Sequence, residues 1–263
     1  MEIIFAILAI GGIGLVFGVI LAIAGEKLKV VEDEKVTKIR EALPGANCGG
    51  CGYPGCDMFA KQVAKGEAPV NGCPVSDEAC VEILKDIMGS DVETSEKTVA
   101  FVRCGGNNGV SAKKYIYYGM YDCNASNIIA GNGSKACSYG CLGRGSCEKE
   151  CAFGAIEILD GIAVINKEKC TSCGKCVEAC PKDLIDIVPY NKTIKVNCKS
   201  TDAGKFVRSA CQRGCIGCKL CVKACEYDAI YFENNLAKIN YEKCTECGAC
   251  EVKCPTKAII IDK

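Results

Sequence analysis

Cys170, Cys173, Cys176 and Cys180, with Pro181 directly after, stand in the spacing C-x2-C-x2-C-x3-C-P. Three thiolates this close can hold one 4Fe–4S cube, while the fourth reaches a neighbouring cluster. The proline then turns the chain away from the loop. The spacing returns at Cys244, Cys247, Cys250 and Cys254 with Pro255, and without the proline at Cys215, Cys218, Cys221 and Cys225. A different pattern precedes them: Cys48, Cys51, Cys56 and Cys73-Pro74, set among glycines. Glycine lets the backbone fold tightly round a cube and aim N–H groups at its sulfurs, so this module should hold one cluster locally. The chemistry such residues imply is one-electron carriage.

Composition excludes much else. The 263 residues include 25 cysteines, no histidine and no tryptophan. Without histidine there are no Cys/His zinc sites, no His-ligated haem, no Rieske centre and no His-based triad. The formal net charge is zero, which gives no electrostatic case for nucleic acid. A secreted disulfide scaffold is disfavoured by the odd cysteine count and by spacings that fit cluster ligation. Scarce aromatics point to several small cluster-centred domains rather than one large apolar core.

The crossover rule assigns ligand sets. Cys48, Cys51, Cys56 and Cys73 form one. Cys170, Cys173 and Cys176 are completed by Cys151; Cys215, Cys218 and Cys221 by Cys254; and Cys244, Cys247 and Cys250 by Cys225. Matching Cys141, Cys147 and Cys151 to Cys215, Cys221 and Cys225 puts Arg144 where Cys218 stands. The fifth site, Cys141, Cys147 and Cys180, then lacks a thiolate. Cys137 is the nearest candidate, the alternative being a three-iron or exchangeable-iron centre. Five 4Fe–4S clusters are thus expected. Cys104, Cys123, Cys198 and Cys211 are unassigned; separate buried thiols are favoured over a sixth cluster, and Cys80 reads as a buried thiol.

The elements that position these residues can be read around them. Ile3 to Ala24 carries no charge and, at about 1.5 Å per residue, is long enough to cross a bilayer core of about 30 Å. Lys27, Lys29, Lys35, Lys38 and Arg40 follow, which puts the bulk of the chain on the cytoplasmic side of the cell membrane. Gly14, Gly18 and Ala22 form a small-residue face suited to a partner helix. Helices are expected over Gly25–Leu43, Asp57–Lys65, Asp77–Met88, Lys113–Tyr118 and Cys123–Ala130, with a linker over Gly89–Lys97. Strands are expected at Thr98–Arg103, Ala155–Leu159, Ile162–Ile165, Leu184–Val188, Ala229–Phe232, Ala237–Ile239 and Ala258–Ile261. Val102-Arg-Cys104 resembles Val196-Asn-Cys198, and Cys137-Ser-Tyr-Gly-Cys141 resembles Cys211-Gln-Arg-Gly-Cys215, so the C-terminal half reads as two copies of one unit. The fold class is α+β: a transmembrane anchor over residues 1–25, an iron–sulfur module over 26–97, and two tandem two-cluster ferredoxin-like domains of bacterial type over 98–195 and 196–263.

This order of anchor, C-x2-C-x4-C module and ferredoxin repeats resembles the B subunits of the Rnf complexes, membrane-bound ferredoxin:NAD oxidoreductases that move sodium ions or protons. The resemblance implies an electron-transfer subunit that takes electrons from soluble reduced ferredoxin and relays them to the other membrane subunits. Flavin and NAD sites lie elsewhere in such complexes, and this chain has no dinucleotide fingerprint. No active site beyond electron transfer is expected. The alternative is a polyferredoxin feeding another anaerobic dehydrogenase or hydrogenase. Lys199, Lys205, Arg208, Arg213, Lys219 and Lys223 face only Asp202 in their stretch, whereas residues 26–100 are net acidic. An acidic ferredoxin should therefore be steered to the second unit.

Overall fold

A computed structural model describes residues 2–27, 33–89, 96–129 and 131–262. Helix α1, Glu2–Lys27, is 26 residues long. Among its described side chains, Leu15, Val16, Phe17, Val19, Ile20, Leu21 and Ile23 are all exposed, and Gly14 and Gly18 face open space. The side chains of residues 2–10, 13 and 25–27 lie outside the described ones, as do residues 28–32 and most of the expected linker. The expected span Ile3–Ala24 is therefore described only in part. Among the described residues no helix is long and apolar enough to cross a membrane.

The iron–sulfur module is three short helices, α2 (Glu34–Ala42), α3 (Cys56–Lys65) and α4 (Glu78–Met88). Ile39, Phe59, Ala60, Val63 and Leu84 interlock as its fully buried centre. Asp77 caps α4 by accepting from the Cys80 N–H at 2.8 Å, an interaction typically worth about 1 kcal/mol. Cys80 is buried there, with Sγ 3.3 Å from Ser76 Oγ.

The two ferredoxin units share one plan. The first has β1 (Thr98–Val102), α5 (Cys123–Ile128), α6 (Ser146–Lys149), β2 (Ile156–Leu159), β3 (Ile162–Ile165), α7 (Lys175–Glu178) and β4 (Ile185–Pro189). The second has β5 (Ile194–Val196), α8 (Gly204–Ala210), α9 (Leu220–Ala224), β6 (Ile230–Glu233), β7 (Leu236–Ile239), α10 (Ala249–Val252) and β8 (Ile259–Ile261). Each unit closes its first strand on its last, antiparallel: β1 on β4, with Val102 opposite Ile185, and β5 on β8, with Val196 opposite Ile259. Each also has an inner hairpin, β2–β3 and β6–β7. The likeness extends to single bonds. Asn166 N–H donates to Ala155 O at 2.7 Å, as Asn240 does to Ala229, and the Asn166 and Asn240 carbonyls accept from Cys170 and Cys244 at 3.1 Å.

Three expectations change. The single helix expected over Gly25–Leu43 is interrupted at Asp33, which is extended and caps α2, with residues 28–32 outside the described ones. Lys113–Tyr118 is not a helix: Ser111 and Lys113 make bridges to Cys211 and Lys135, and Ala112 and Lys114 N–H groups donate to Ala210 and Ser134. Its run of aromatic and β-branched residues suits this extended form better than a helix. Strand β5 lies outside the expected strands, because three residues are too short to show a period.

The units also hold one another. Gly105 N–H donates to Asn197 O at 3.0 Å, and Arg103 bridges to Asp186 and reaches the Cys198 carbonyl. Lys195, 1% exposed, pairs with Asp262 at 2.7 Å and lies over the Phe101 ring of the first unit.

Candidate metal centres

The thiols gather crosswise, as the spacing requires. One cavity, about 320 Å³, is lined by Cys225, Cys244, Cys247 and Cys250 with Ile194, Ile230 and Ile239. A second, about 360 Å³, has Cys215, Cys218, Cys221 and Cys254 with Val196 and Ile259. In each, three ligands of one run meet the last cysteine of the other. Burial pushes the thiols of Cys221 and Cys250 up to about 11, and neighbouring cysteines add to this. Four such sulfurs become thiolates together only when a cation neutralises them, so iron loading must release protons.

The first unit repeats the arrangement. Cys176 is raised to about 12 by burial, then by Cys170, Cys173 and Cys151, the three residues expected beside it. The Ala155 N–H donates to Cys151 Sγ, and Leu184 and Ala258 N–H groups donate to Cys180 and Cys254 Sγ, at 3.2–3.4 Å. Such N–H···S bonds stabilise the charged form of a cluster thiolate. In the module, Asn47 Oδ1 accepts from the Cys56 N–H at 2.8 Å, and Cys48 lies within electrostatic reach of Cys73.

One assignment shifts. The cavity around Cys141, Cys147 and Cys180, about 340 Å³, has Cys123 as its fourth thiol, not Cys137. Cys147 is raised to about 12, by burial and then by Cys141, Cys123 and Cys180. Cys123 opens α5, and a short network fixes it: its N–H donates to Ser146 Oγ at 2.8 Å, Ser146 Oγ bonds Asp122 Oδ2, and Asp122 Oδ1 accepts from Ala125 N–H. Those bonds hold the Asp122 carboxyl below its ordinary range. Arg144, at the place of Cys218, lies over the Tyr117 and Tyr121 rings. A sequence signal for Cys123 did exist. Once the two units are matched cysteine by cysteine, Cys123 is the one left over in the first and Cys218 the one left over in the second.

Among the described residues, no three His, Cys, Asp or Glu side chains converge closely enough for one metal ion. A cube takes each thiolate on a different iron, so its ligands ring a volume instead of a point. The donor set and the cavities fit such a group. Two of the cysteines lining these cavities, Cys218 and Cys247, are exposed. The module also touches the first unit directly. A Cβ on Gly50 would lie 2.7 Å from the Cys173 carbonyl oxygen, so only glycine permits this approach.

Cages of four thiols in tandem units of this shape define an iron–sulfur electron-transfer protein of the ferredoxin class. Family models agree: a putative Fe-S cluster family matches residues 43–75, a 4Fe-4S binding domain 163–186 and a 4Fe-4S dicluster domain 214–258. The B subunit of the Na(+)-translocating ferredoxin:NAD(+) oxidoreductase complex of Acetobacterium woodii is 47% identical over 95% of this chain and 75% of its own length. The B subunit of the ion-translocating oxidoreductase complex of Methanosarcina acetivorans is 42% identical over 97% and 96%. Its counterpart in the proton-translocating ferredoxin:NAD(+) oxidoreductase complex of Clostridium ljungdahlii is 41% identical over 94% and 88%. The chain belongs to this family, the B subunits of the ion-translocating (Rnf) oxidoreductase complexes.

Proposed function

We propose that this chain is the electron-entry arm of such a complex: it accepts electrons from reduced ferredoxin and relays them to membrane subunits that reduce NAD and translocate sodium ions or protons. The observation that carries the reading is the crossed gathering of thiols into separate four-cysteine cages within one chain. The clusters would supply one-electron couples of low potential. The protein's part is to hold them in sequence, donate N–H groups to their sulfurs and keep water out. Cys48, Cys51, Cys56 and Cys73 hold the first; Cys151, Cys170, Cys173 and Cys176 the second; Cys123, Cys141, Cys147 and Cys180 the third. Cys215, Cys218, Cys221 and Cys254, then Cys225, Cys244, Cys247 and Cys250, hold two more.

The domain limits at 25 and 97 follow the same reading, while the limit expected at 195 moves to just before Ile194, because β5 pairs with β8 of the second unit. Helix α1, apolar wherever its side chains are described and without a partner for Gly14 and Gly18, anchors the chain in the cell membrane with its bulk on the cytoplasmic side. Ferredoxin docks on the second unit, where Lys205, Arg208, Arg213, Lys219 and Lys223 are exposed in the same stretch of chain as exposed Cys218. Anaerobic cell fractionation with absorbance and iron assays tests the whole reading. Brown protein in the membrane fraction, reducible by ferredoxin, is expected. Brown but soluble protein would favour a polyferredoxin, and colourless protein would end the cluster reading.

A further inference from the structure

Five cysteines lie outside the five cages: Cys80, Cys104, Cys137, Cys198 and Cys211. Cys80 is accounted for inside α4. The other four line a single cavity of about 460 Å³ between the two ferredoxin units, no smaller than the three cavities already described. Cys104 and Cys137 come from the first unit, Cys198 and Cys211 from the second, and each pair is the repeat counterpart of the other. Cys104, Cys198 and Cys211 are buried and Cys137 half-buried.

The surroundings are those of a ligand cage. Cys141 N–H donates to Cys104 Sγ at 3.3 Å, and its counterpart Cys215 N–H donates to Cys198 Sγ, also at 3.3 Å. Backbone hydrogen bonds from Tyr139 and Gly140 serve the Cys137 sulfur, and one from Arg213 serves Cys211. On the wall, a Cβ at Gly106 would sit 3.2 Å from Cys211 Sγ and 3.7 Å from Cys104 Sγ, so glycine leaves that space to the sulfurs. Ser111 Oγ and Asn197 Oδ1 are buried on the same lining without a partner. The Ser111 hydroxyl would find one in a thiolate or inorganic sulfide. Buried Lys135 donates to the carbonyls of Gly106, on the cavity wall, and Gly161. Its ammonium is a positive charge near Cys211 and Cys141.

We propose that Cys104, Cys137, Cys198 and Cys211 ligate a sixth 4Fe–4S cluster, shared between the two ferredoxin units. A zinc ion is a poor fit, since it would draw the four sulfurs to a point and no such convergence exists among the described residues. The position gives the cluster its work. Cys141 belongs to the third cage and Cys215 to the first cage of the second unit, and both donate N–H bonds to this centre's thiolates. One electron passed from a reduced neighbour leaves that neighbour oxidised and this centre reduced, with no proton moved and no bond broken. The centre thus joins two pairs of clusters into one line.

This rests on the reading that the chain carries 4Fe–4S clusters, and the test separates the two. Native mass spectrometry of the anaerobically purified full chain counts whole cubes. Six are expected, about twenty-four irons with as many sulfides and no zinc. Only the proposed cage can hold the sixth. Five cubes would overturn the inference and leave the reading intact, no cubes would overturn both, and zinc in place of a cube would overturn the inference. A chain with Cys104→Ala and Cys198→Ala should lose one cube and keep five, while Cys80→Ala keeps six. Six cubes in the double variant would also overturn it. Should the double variant not fold, the count on the unaltered chain decides.

Discussion

Cys123 holds its place through Ser146, which is fixed in turn by the Asp122 carboxylate, and that dependence can be measured. With Cys123→Ser, the centre lined by Cys141, Cys147 and Cys180 should lose one iron on brief air exposure and show a three-iron EPR signal, while Cys137→Ser leaves that centre unchanged. Equal signals in both variants would reject Cys123 as ligand. Asp122 adds a pH dependence of known sign. Its folded value is depressed, chiefly by the Ala125 N–H and the Ser146 hydroxyl. The stability it contributes is therefore present above the unfolded value of about 3.9 and lost as pH falls through the lower folded one. Between pH 6 and 8 the thiols' own proton release tilts iron retention equally in both proteins, so the gap between the native protein and Asp122→Ala should stay constant, with the variant lower throughout. A gap that widened or closed in that window would contradict the network.

Legibility at this scale followed chemistry. The crossed sets Cys215/Cys254 and Cys244/Cys225 could be read from spacing because three ligands are local and the fourth ends the partner run. The places of Cys123 and the interface quartet could not, since the cysteines that line those cavities come from three or four distant segments, tied together by the repeat match and not by any local spacing.

At the scale of elements, the module's seat on the first unit depends on Gly50. Gly50→Ala would push a methyl into the Cys173 backbone, which cannot yield as a side-chain tip can. Overpacking of this kind costs about 1–3 kcal/mol. The loss should appear as faster proteolysis between the module and β1 and as slower electron transfer from the ferredoxin units to the Cys48–Cys73 centre. Unchanged transfer would show that this contact is not part of the route. Helix α4 and the hairpins were legible because a cap at Asp77 and alternating strand patterns mark them. The extended Lys113 segment was not, because its partners, Ala210 and Ser134, come from elsewhere in the fold.

Over the whole molecule, charge and exposure coincide. The basic stretch of the second unit contains the exposed Cys218, while residues 26–100 are net acidic. Reversing Lys205, Arg208 and Arg213 to Glu should slow reduction by an acidic ferredoxin at low salt by about tenfold or more, flatten its ionic-strength dependence, and leave reduction by a neutral dye unchanged. Equal ferredoxin rates at low salt would place the dock elsewhere.

The β5–β8 closure, which brings Cys254 back to Cys215, has a consequence in time as well as space. A chain emerging from the ribosome presents Cys215, Cys218 and Cys221 well before Cys254, so that cage stays one thiol short until Cys254 has been made. A cluster inserted early would be held by three sulfurs and open to oxygen. Maturation of this cage therefore has to wait for Cys254. For the same reason a premature stop just before Cys254 would leave Cys225, Cys244, Cys247 and Cys250 in place yet take a thiol from the cage around Cys215, far upstream.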